Sequence, residues 1–178
     1  MKKMKELLIL VDENDNKIGL MEKISAHKAG RLHRAFSVFI FNSKGELLLQ
    51  QRADNKYHSG GLWTNSCCSH PIDGEEISAT IDKRLKEEMG MQCKTSFQFS
   101  FIYKSELGNG LTEHELDHVY FGTTDEEPIL NKSEAKDWKY ISLENLKKAV
   151  EQNPGNYSAW LKICLPEVLK KVDQNKTT

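Results

Sequence analysis

The stretch at residues 69–91 reads SHPIDGEEISATIDKRLKEEMGM and contains the clearest periodicity in the chain. Its apolar side chains recur at four-residue intervals, at Ile77, Ile81, Leu85 and Met89. This spacing is typical of the apolar face of an α-helix, and Gly90 stands where a left-handed C-terminal cap is expected. The sequence therefore predicts a helix over residues 77–89 that packs against a core.

The polar positions of the same helix bring charged side chains together. Lys83, Arg84, Glu87 and Glu88 are three or four residues apart, which puts them on or near one face. Paired carboxylates beside cations can hold a divalent ion that is bridged to phosphate oxygens. An ordinary exposed face with Glu–Lys pairs has the same pattern, so the spacing alone leaves both interpretations open.

Outside this helix, strand-like runs alternate with helical ones. The first predicted strand is Met1–Val11, and a second strand follows the turn Asp12–Lys17. Ala35–Asn42 and Glu46–Gln51 are predicted to form a hairpin. Two further strands are predicted over Phe97–Tyr103 and His118–Thr123. Asp54–Pro71 is predicted to be an irregular loop, and further helices are predicted over Ser142–Glu151 and over Ala159–Lys171, the last interrupted at Pro166. This alternation indicates a mixed α/β (α+β) fold. Since no repeat or linker divides the chain, we expect a single domain over residues 1–178.

The composition argues against several classes of function. Lys and Arg number 25 against 26 Asp and Glu, a formal net charge of −1, which disfavours a broad nucleic-acid surface but allows a local basic pocket. No apolar run approaches the roughly 20 residues that span a bilayer, and the run Leu7–Val11 is too short for a signal peptide. We therefore expect a cytoplasmic protein whose four cysteines are free thiols.

Several histidines and carboxylates suggest a metal site. His27 and His33 occur in one polar segment, and His70 closes the long loop. Glu113 and Glu115 would project from the same face of a strand, because side chains alternate along it. A mixed nitrogen and oxygen set suits Mn²⁺, Mg²⁺, Fe²⁺ or Zn²⁺. Each residue taken singly is more often a surface or hydrogen-bonding group, so composition alone leaves both interpretations open.

The segment 69–91 is similar to the Nudix box, in which a glycine and a spaced Glu precede Arg-Glu-x-x-Glu-Glu-x-Gly. The residues that match in register are Glu75, Glu87, Glu88 and Gly90. Ser69 replaces the first glycine, while Lys83 and Arg84 replace the Arg-Glu pair. Because the Glu lost at Arg84 is a usual metal ligand of the Nudix hydrolases, the resemblance argues against diphosphate hydrolysis.

The departures point to one branch of that superfamily. Residues 64–71, TNSCCSHP, resemble the TNSxCxHP motif of type I isopentenyl-diphosphate isomerases. Further matching pieces follow the family's order from about Lys23 to Trp160: His27 with 31–37 (RLHRAFS), 51–53 (QRA) with Lys56, Trp63, 113–115 (EHE) and 157–160 (YSAW). The resemblance covers most of the chain and implies a Nudix-type mixed sheet flanked by helices. Monomer and homodimer both stay open from the sequence.

The resemblance also implies a reaction and a set of residues. Isopentenyl and dimethylallyl diphosphate interconvert through a tertiary carbocation, which requires acid/base groups on opposite faces. It implies that Cys68 and Glu115 are these groups, assisted by Tyr103. The implied metal ligands are His27, His33, His70, Glu113 and Glu115, with Glu88 for a Mg²⁺ that arrives with the diphosphate. The implied substrate-binding residues are Lys23, Arg52, Lys56, Arg84, Trp63 and Trp160, the last facing the cation.

Two other functions stay open from the sequence. One is a Nudix hydrolase of nucleoside diphosphate derivatives, which the missing Arg-Glu pair disfavours. The other is a non-catalytic module that binds diphosphate or metal, although every implied catalytic position is filled. By period two, His114 and His118 are predicted to lie on the face opposite Glu113 and Glu115, outside the site.

Overall fold

The computed structural model describes residues 6–176. The strands are β1 (Leu7–Val11), β2 (Lys17–Glu22), β3 (His33–Phe41), β4 (Leu47–Arg52), β5 (Trp63–Thr64), β6 (Cys67–Ser69), β7 (Thr95–Gly108), β8 (Leu111–Thr123) and β9 (Ala135–Ile141). The helices are α1 (Lys23–Ala29), α2 (Ile77–Met89), α3 (Leu143–Gln152) and α4 (Ala159–Lys176), with a short 3₁₀ turn at Pro154–Asn156.

Strand β3 is the centre of one mixed sheet. It pairs antiparallel with β1, β4 and β6, and parallel with β8 from His33 opposite Glu115 to Phe41 opposite Thr123. Because β3 is almost entirely buried, it reads as a continuous apolar run instead of an alternating one. On its other edge β8 pairs antiparallel with β7, and the turn of this long hairpin is at Asn109-Gly110.

The core has one part on each face of the sheet. Phe36, Val38 and Ile40 of β3 pack with Ile81, Leu85 and Met89 of α2. The alternate residues, Phe39 and Phe41, pack on the opposite face with residues of α3 and α4. Each such buried side chain stabilises the fold by roughly 1.5–3 kcal/mol. The predicted mixed α/β fold is confirmed, and so is the helix 77–89.

Gly90 ends α2 and lets the following segment dock against it. Its φ is +64°, and an added Cβ would lie 2.5 Å from the carbonyl oxygen of Ile129. The Ile129 N–H donates to the Met89 carbonyl at 2.8 Å, and Asn131 N–H donates to the Glu88 carbonyl at 3.0 Å. The turn between β8 and β9 is therefore tied to the C-terminal end of α2.

The structure contains three features that the sequence did not predict. The polar segment before His33 contains α1, where the Glu22 carboxylate accepts from the N–H groups of Ile24 and Ser25 and Gly30 is the left-handed cap. The predicted loop 54–71 contains β5 and β6, and β9 was not predicted at all. Of the predicted first strand, residues 1–5 lie outside the described residues, while Leu7–Val11 is β1.

The predicted interruption at Pro166 is wrong, because α4 continues through it. A proline inside a helix costs about 3 kcal/mol, since a backbone hydrogen bond is lost. On either side, Leu161, Cys164, Leu165 and Val168 are all buried in the second core cluster. Their combined burial outweighs that cost. None of the helices between residues 6 and 176 is long and apolar enough to cross a bilayer.

Candidate active site

Glu113 and Glu115 share one face of β8, as their spacing predicts. Both are buried, with 4% and 8% of their surfaces exposed. Tyr103 is the cross-strand partner of Glu115 on β7, and its hydroxyl lies 2.7 Å from Glu115 Oε2 and 3.1 Å from Glu113 Oε2. One tyrosine hydroxyl thus joins two buried carboxylates.

Three histidines meet Glu115 from different elements. His27 comes from α1, His33 from the start of β3, and His70 from the position directly after β6. One ligand atom from each of these histidines and one from Glu115 all lie within 4.8 Å of one another. The parallel pairing of β3 with β8 is responsible for part of this, because it sets His33 directly opposite Glu115.

The imidazoles are oriented as metal ligands require. His27 Nδ1 lies 2.7 Å from the Lys23 carbonyl, and His33 Nδ1 lies 2.8 Å from the Arg31 carbonyl. These bonds place the ring protons on Nδ1, so each Nε2 keeps a lone pair. Both Nε2 atoms are buried and make no hydrogen bond. Burial also lowers the pKa of His27 to about 4, which keeps that ring neutral. The donor set therefore fits a divalent transition metal ion.

The two glutamates have different electrostatic surroundings. Burial alone would raise the pKa of Glu115, but the adjacent His33 and His70 outweigh it and hold that pKa well below its usual range. His70 Nε2 lies 3.1 Å from Glu115 Oε1. Burial and the neighbouring Glu115 carboxylate raise the pKa of Glu113 well above its usual range. Glu113 is not among the four clustered ligands, so the predicted five-residue set is only partly brought together.

Cys68 lies in β6, opposite Ser37 of β3, and faces the same cavity as Glu115. Burial raises the pKa of its thiol, which therefore keeps its proton. The cavity has a volume of about 90 Å³. Its lining also includes Tyr103, Glu113, His70 and Trp160. Cys67 points away into the first core cluster and is completely buried.

Part of this lining is basic. Lys23, Arg52, Lys56 and Arg84 all line the cavity, as does Glu88. Arg84 donates from Nη1 to Glu87 and from Nη2 to Glu88, both at 2.7 Å. Arg52 donates to the carbonyls of His58 and Ser59 at 3.2 Å. The cavity lining thus combines a thiol and several carboxylates with four cationic side chains.

The two predicted tryptophans differ. Trp160 lines the cavity, donates from Nε1 to Asn65 Oδ1 at 3.1 Å, and has the Arg52 guanidinium 5.1 Å from its ring. Trp63 is not among the residues that line the cavity; it packs against the second core cluster, with Lys139 Nζ 4.1 Å from its ring. Side chains alternate along β5, so Trp63 points away from the face where Gln50 lines the cavity.

Several lining residues had no signal in the sequence. The His58 side chain is only 7% exposed and lies near Trp160, and its Nε2 is 3.6 Å from Glu113 Oε1. Burial and the charge of Arg52 lower the pKa of His58 to about 3. Tyr57, Gln50 and Glu134 also line the cavity. They come from the long loop, from β4 and from the turn before β9, and only the tertiary fold brings these segments together.

His114 and His118 lie outside the cavity lining, as predicted. His114 Nδ1 is 3.0 Å from the Gly30 carbonyl, and His118 Nε2 is 3.0 Å from Asp15 Oδ2. Their face of β8 is the one opposite Glu113 and Glu115. Both histidines therefore have structural partners of their own.

Comparison with known proteins agrees with this geometry. The NUDIX domain family matches residues 31–161. An isopentenyl-diphosphate Delta-isomerase of Aromatoleum aromaticum is 51% identical over 166 residues, covering 93% of this chain and 88% of the relative. The isopentenyl-diphosphate Delta-isomerase of Pectobacterium atrosepticum is 48% identical and covers 90% of each chain. This chain belongs to the isopentenyl-diphosphate Delta-isomerase family.

Solved structures support the fold of this isomerase family member. A protein from Deinococcus radiodurans superposes with a TM-score of 0.68 at 22% identity, covering 83% of this chain and 90% of its own. A MutT protein from Methanosarcina mazei superposes with a TM-score of 0.64 at 19% identity, covering 82% and 96%. The predicted Nudix-type fold is confirmed.

Proposed function

We propose that this chain interconverts isopentenyl diphosphate and dimethylallyl diphosphate, a step of isoprenoid biosynthesis. The observation that carries the proposal is the common cavity of Cys68 and Glu115 in a chain about half identical to isomerases named for this reaction. The two groups belong to different strands, β6 and β8, with β3 paired between them. A substrate in the cavity would therefore meet both of them.

The reaction needs two acid/base groups. One group forms a C–H bond by giving a proton to an alkene carbon, and the tertiary cation that results loses a proton from another carbon to the second group. Cys68 and Glu115 are the proposed pair, and they exchange roles when the direction reverses. Tyr103 would hold the Glu115 carboxylate in place through its 2.7 Å hydrogen bond.

His27, His33, His70 and Glu115 would hold a divalent metal ion, for which Mn²⁺, Mg²⁺ and Zn²⁺ are the candidates. Such an ion supplies positive charge that stabilises a deprotonated carboxylate. Glu113 would be a further ligand, since Tyr103 holds it beside Glu115. Glu88, with 6% of its surface exposed, would help to bind the Mg²⁺ that accompanies the diphosphate.

The remaining lining residues would bind the substrate and shield its cationic intermediate from water. Lys23, Arg52, Lys56 and Arg84 would neutralise the diphosphate oxygens. Trp160 would present its indole face to the carbocation, because the ring quadrupole attracts cations. A substrate that fills this small cavity would also exclude the water that would otherwise convert the cation to an alcohol.

Incubation with isopentenyl diphosphate and Mg²⁺ in D₂O tests the proposal. We expect dimethylallyl diphosphate to form and deuterium to enter both isomers, detected by NMR. A heat-denatured sample provides the background. Release of phosphate from nucleoside diphosphate derivatives without any exchange into isopentenyl diphosphate would instead support a Nudix hydrolase. Binding without deuterium incorporation would support a non-catalytic module.

A further inference from the structure

Glu134 holds two of the cations proposed for the diphosphate. Its Oε2 is ion-paired with Lys56 Nζ and lies 3.2 Å from Arg84 Nη2. The same Arg84 nitrogen lies 2.7 Å from Glu88 Oε1, so this one nitrogen joins two carboxylates. Neither spacing nor resemblance singled out Glu134, which becomes part of the cavity only through the fold.

The backbone around Glu134 is fixed to the elements that carry its partners. The Glu134 carbonyl accepts from the Ala53 N–H at 3.0 Å, close in sequence to Lys56. The Asn131 N–H donates to the Glu88 carbonyl at 3.0 Å, and the Glu134 N–H donates to the Asn131 carbonyl at 2.9 Å. The carboxylate is thus held between the long loop and the end of α2. Its side chain is 23% exposed, so it borders both protein and solvent.

The charges at this end of the cavity nearly balance before any ligand binds. Lys23 is 3.1 Å from Glu6, Lys56 is paired with Glu134, and Arg84 is paired with several carboxylates. Arg52 instead contacts backbone carbonyls and the Trp160 ring. A bare diphosphate would therefore be repelled by the carboxylates while it competes with them for the cations. A divalent cation that enters with the diphosphate would offset this repulsion.

We propose that Glu134 makes the binding of diphosphate depend on an accompanying divalent cation. It acts as a specificity-determining residue that favours the magnesium complex over the bare diphosphate anion. This role rests on the proposed function, because it assumes that the cationic end of the cavity receives a diphosphate. It concerns Glu134 alone and adds to the proposed role of Glu88.

Calorimetric titration with inorganic pyrophosphate tests the role, with Mg²⁺ in excess and with Mg²⁺ omitted. The wild-type protein should bind far more tightly with Mg²⁺. In Glu134→Gln, affinity without Mg²⁺ should rise about tenfold and the ratio of the two affinities should fall by a similar factor, because one partly screened negative charge is gone. Glu134→Asp retains the charge and should restore the dependence on Mg²⁺. Glu127→Gln, an exposed position between β8 and β9, is the matched control and should behave as wild type.

The outcomes separate this proposal from the function on which it rests. Equal weakening of both affinities in Glu134→Gln would overturn the proposal, because Glu134 would then only order Lys56 and Arg84. An unchanged ratio would also overturn it. If Glu127→Gln changed the ratio of affinities by the same factor, the effect would come from net charge alone, and this would contradict the proposal. Failure of the wild-type protein to bind pyrophosphate with Mg²⁺ would instead overturn the diphosphate site itself. Thermal melting of each variant establishes that it is folded.

Discussion

Tyr103 and Glu115 face each other across the β7–β8 hairpin, and the Tyr103 hydroxyl donates a 2.7 Å hydrogen bond to Glu115 Oε2. Both residues are nearly inaccessible to solvent, so water cannot replace this bond. Hydrogen bonds to charged groups contribute about 1.5–3 kcal/mol. This contact connects β7 to the proposed acid/base residue on β8.

Tyr103→Phe is therefore expected to lower kcat by about 10- to 100-fold, since the carboxylate loses the donor that orients it. The fold should persist, because phenylalanine occupies nearly the same space. The measurement is the rate of isopentenyl diphosphate isomerisation by NMR. Tyr120→Phe, a buried tyrosine of the first core cluster, is the control and should retain its activity. Equal losses in both variants would point to a general packing effect.

Cys68→Ala is expected to abolish isomerisation and the exchange of deuterium into the substrate. The thiol lines the cavity, and alanine has no exchangeable proton to replace it. The matched control is Cys164→Ala, which removes a buried thiol from the second core cluster and should affect stability only. Circular dichroism checks both folds. Full activity in Cys68→Ala would remove this residue from the proposed mechanism.

His33→Gln is expected to reduce the divalent metal retained by the purified protein and to diminish the rise in Tm that added Mn²⁺ or Zn²⁺ produces. The reason is that His33 provides one of the four clustered ligand atoms, and ligands that bind only the folded state stabilise it. Atomic emission and thermal melting measure the two effects. His114→Gln changes a histidine on the opposite strand face and should keep the metal content of the wild type. The metal-site proposal fails when both variants behave alike.

The metal-free protein should lose stability in acid because of His58. Burial lowers its pKa to about 3 in the folded state, while an unfolded histidine titrates near 6.5. Below about pH 6.5 the unfolded chain therefore binds more protons at this position, and the folded state is disfavoured progressively until the pH reaches about 3. The free energy of unfolding of the wild type, relative to His58→Gln, should fall by about 1–2 kcal/mol between pH 7 and pH 5. Urea denaturation at both pH values measures this difference, and a constant difference would contradict the prediction.

Local patterns predicted those features that depend on neighbouring residues. The helix Ile77–Met89 and its Gly90 cap follow from a four-residue period, and the common face of Glu113 and Glu115 follows from a two-residue period. The helix α1 was missed because its N-terminal cap is Glu22, a residue type without a strong capping preference. The predicted interruption at Pro166 was wrong because the free energy gained by burying Leu165 and Val168 exceeds the cost of the low helix propensity of proline.

By itself, the sequence determined the mixed α/β class, the α2 helix and, through its motifs, the resemblance to the isomerase family. Only the tertiary structure decided which residues meet. The parallel register of β3 with β8 places His33 beside Glu115, strand alternation removes Trp63 from the cavity, and docking of the β8–β9 turn on α2 brings Glu134 to Arg84. The physical reason is that periodicity is encoded within a few residues, whereas strand order and docking depend on burial summed over the whole chain.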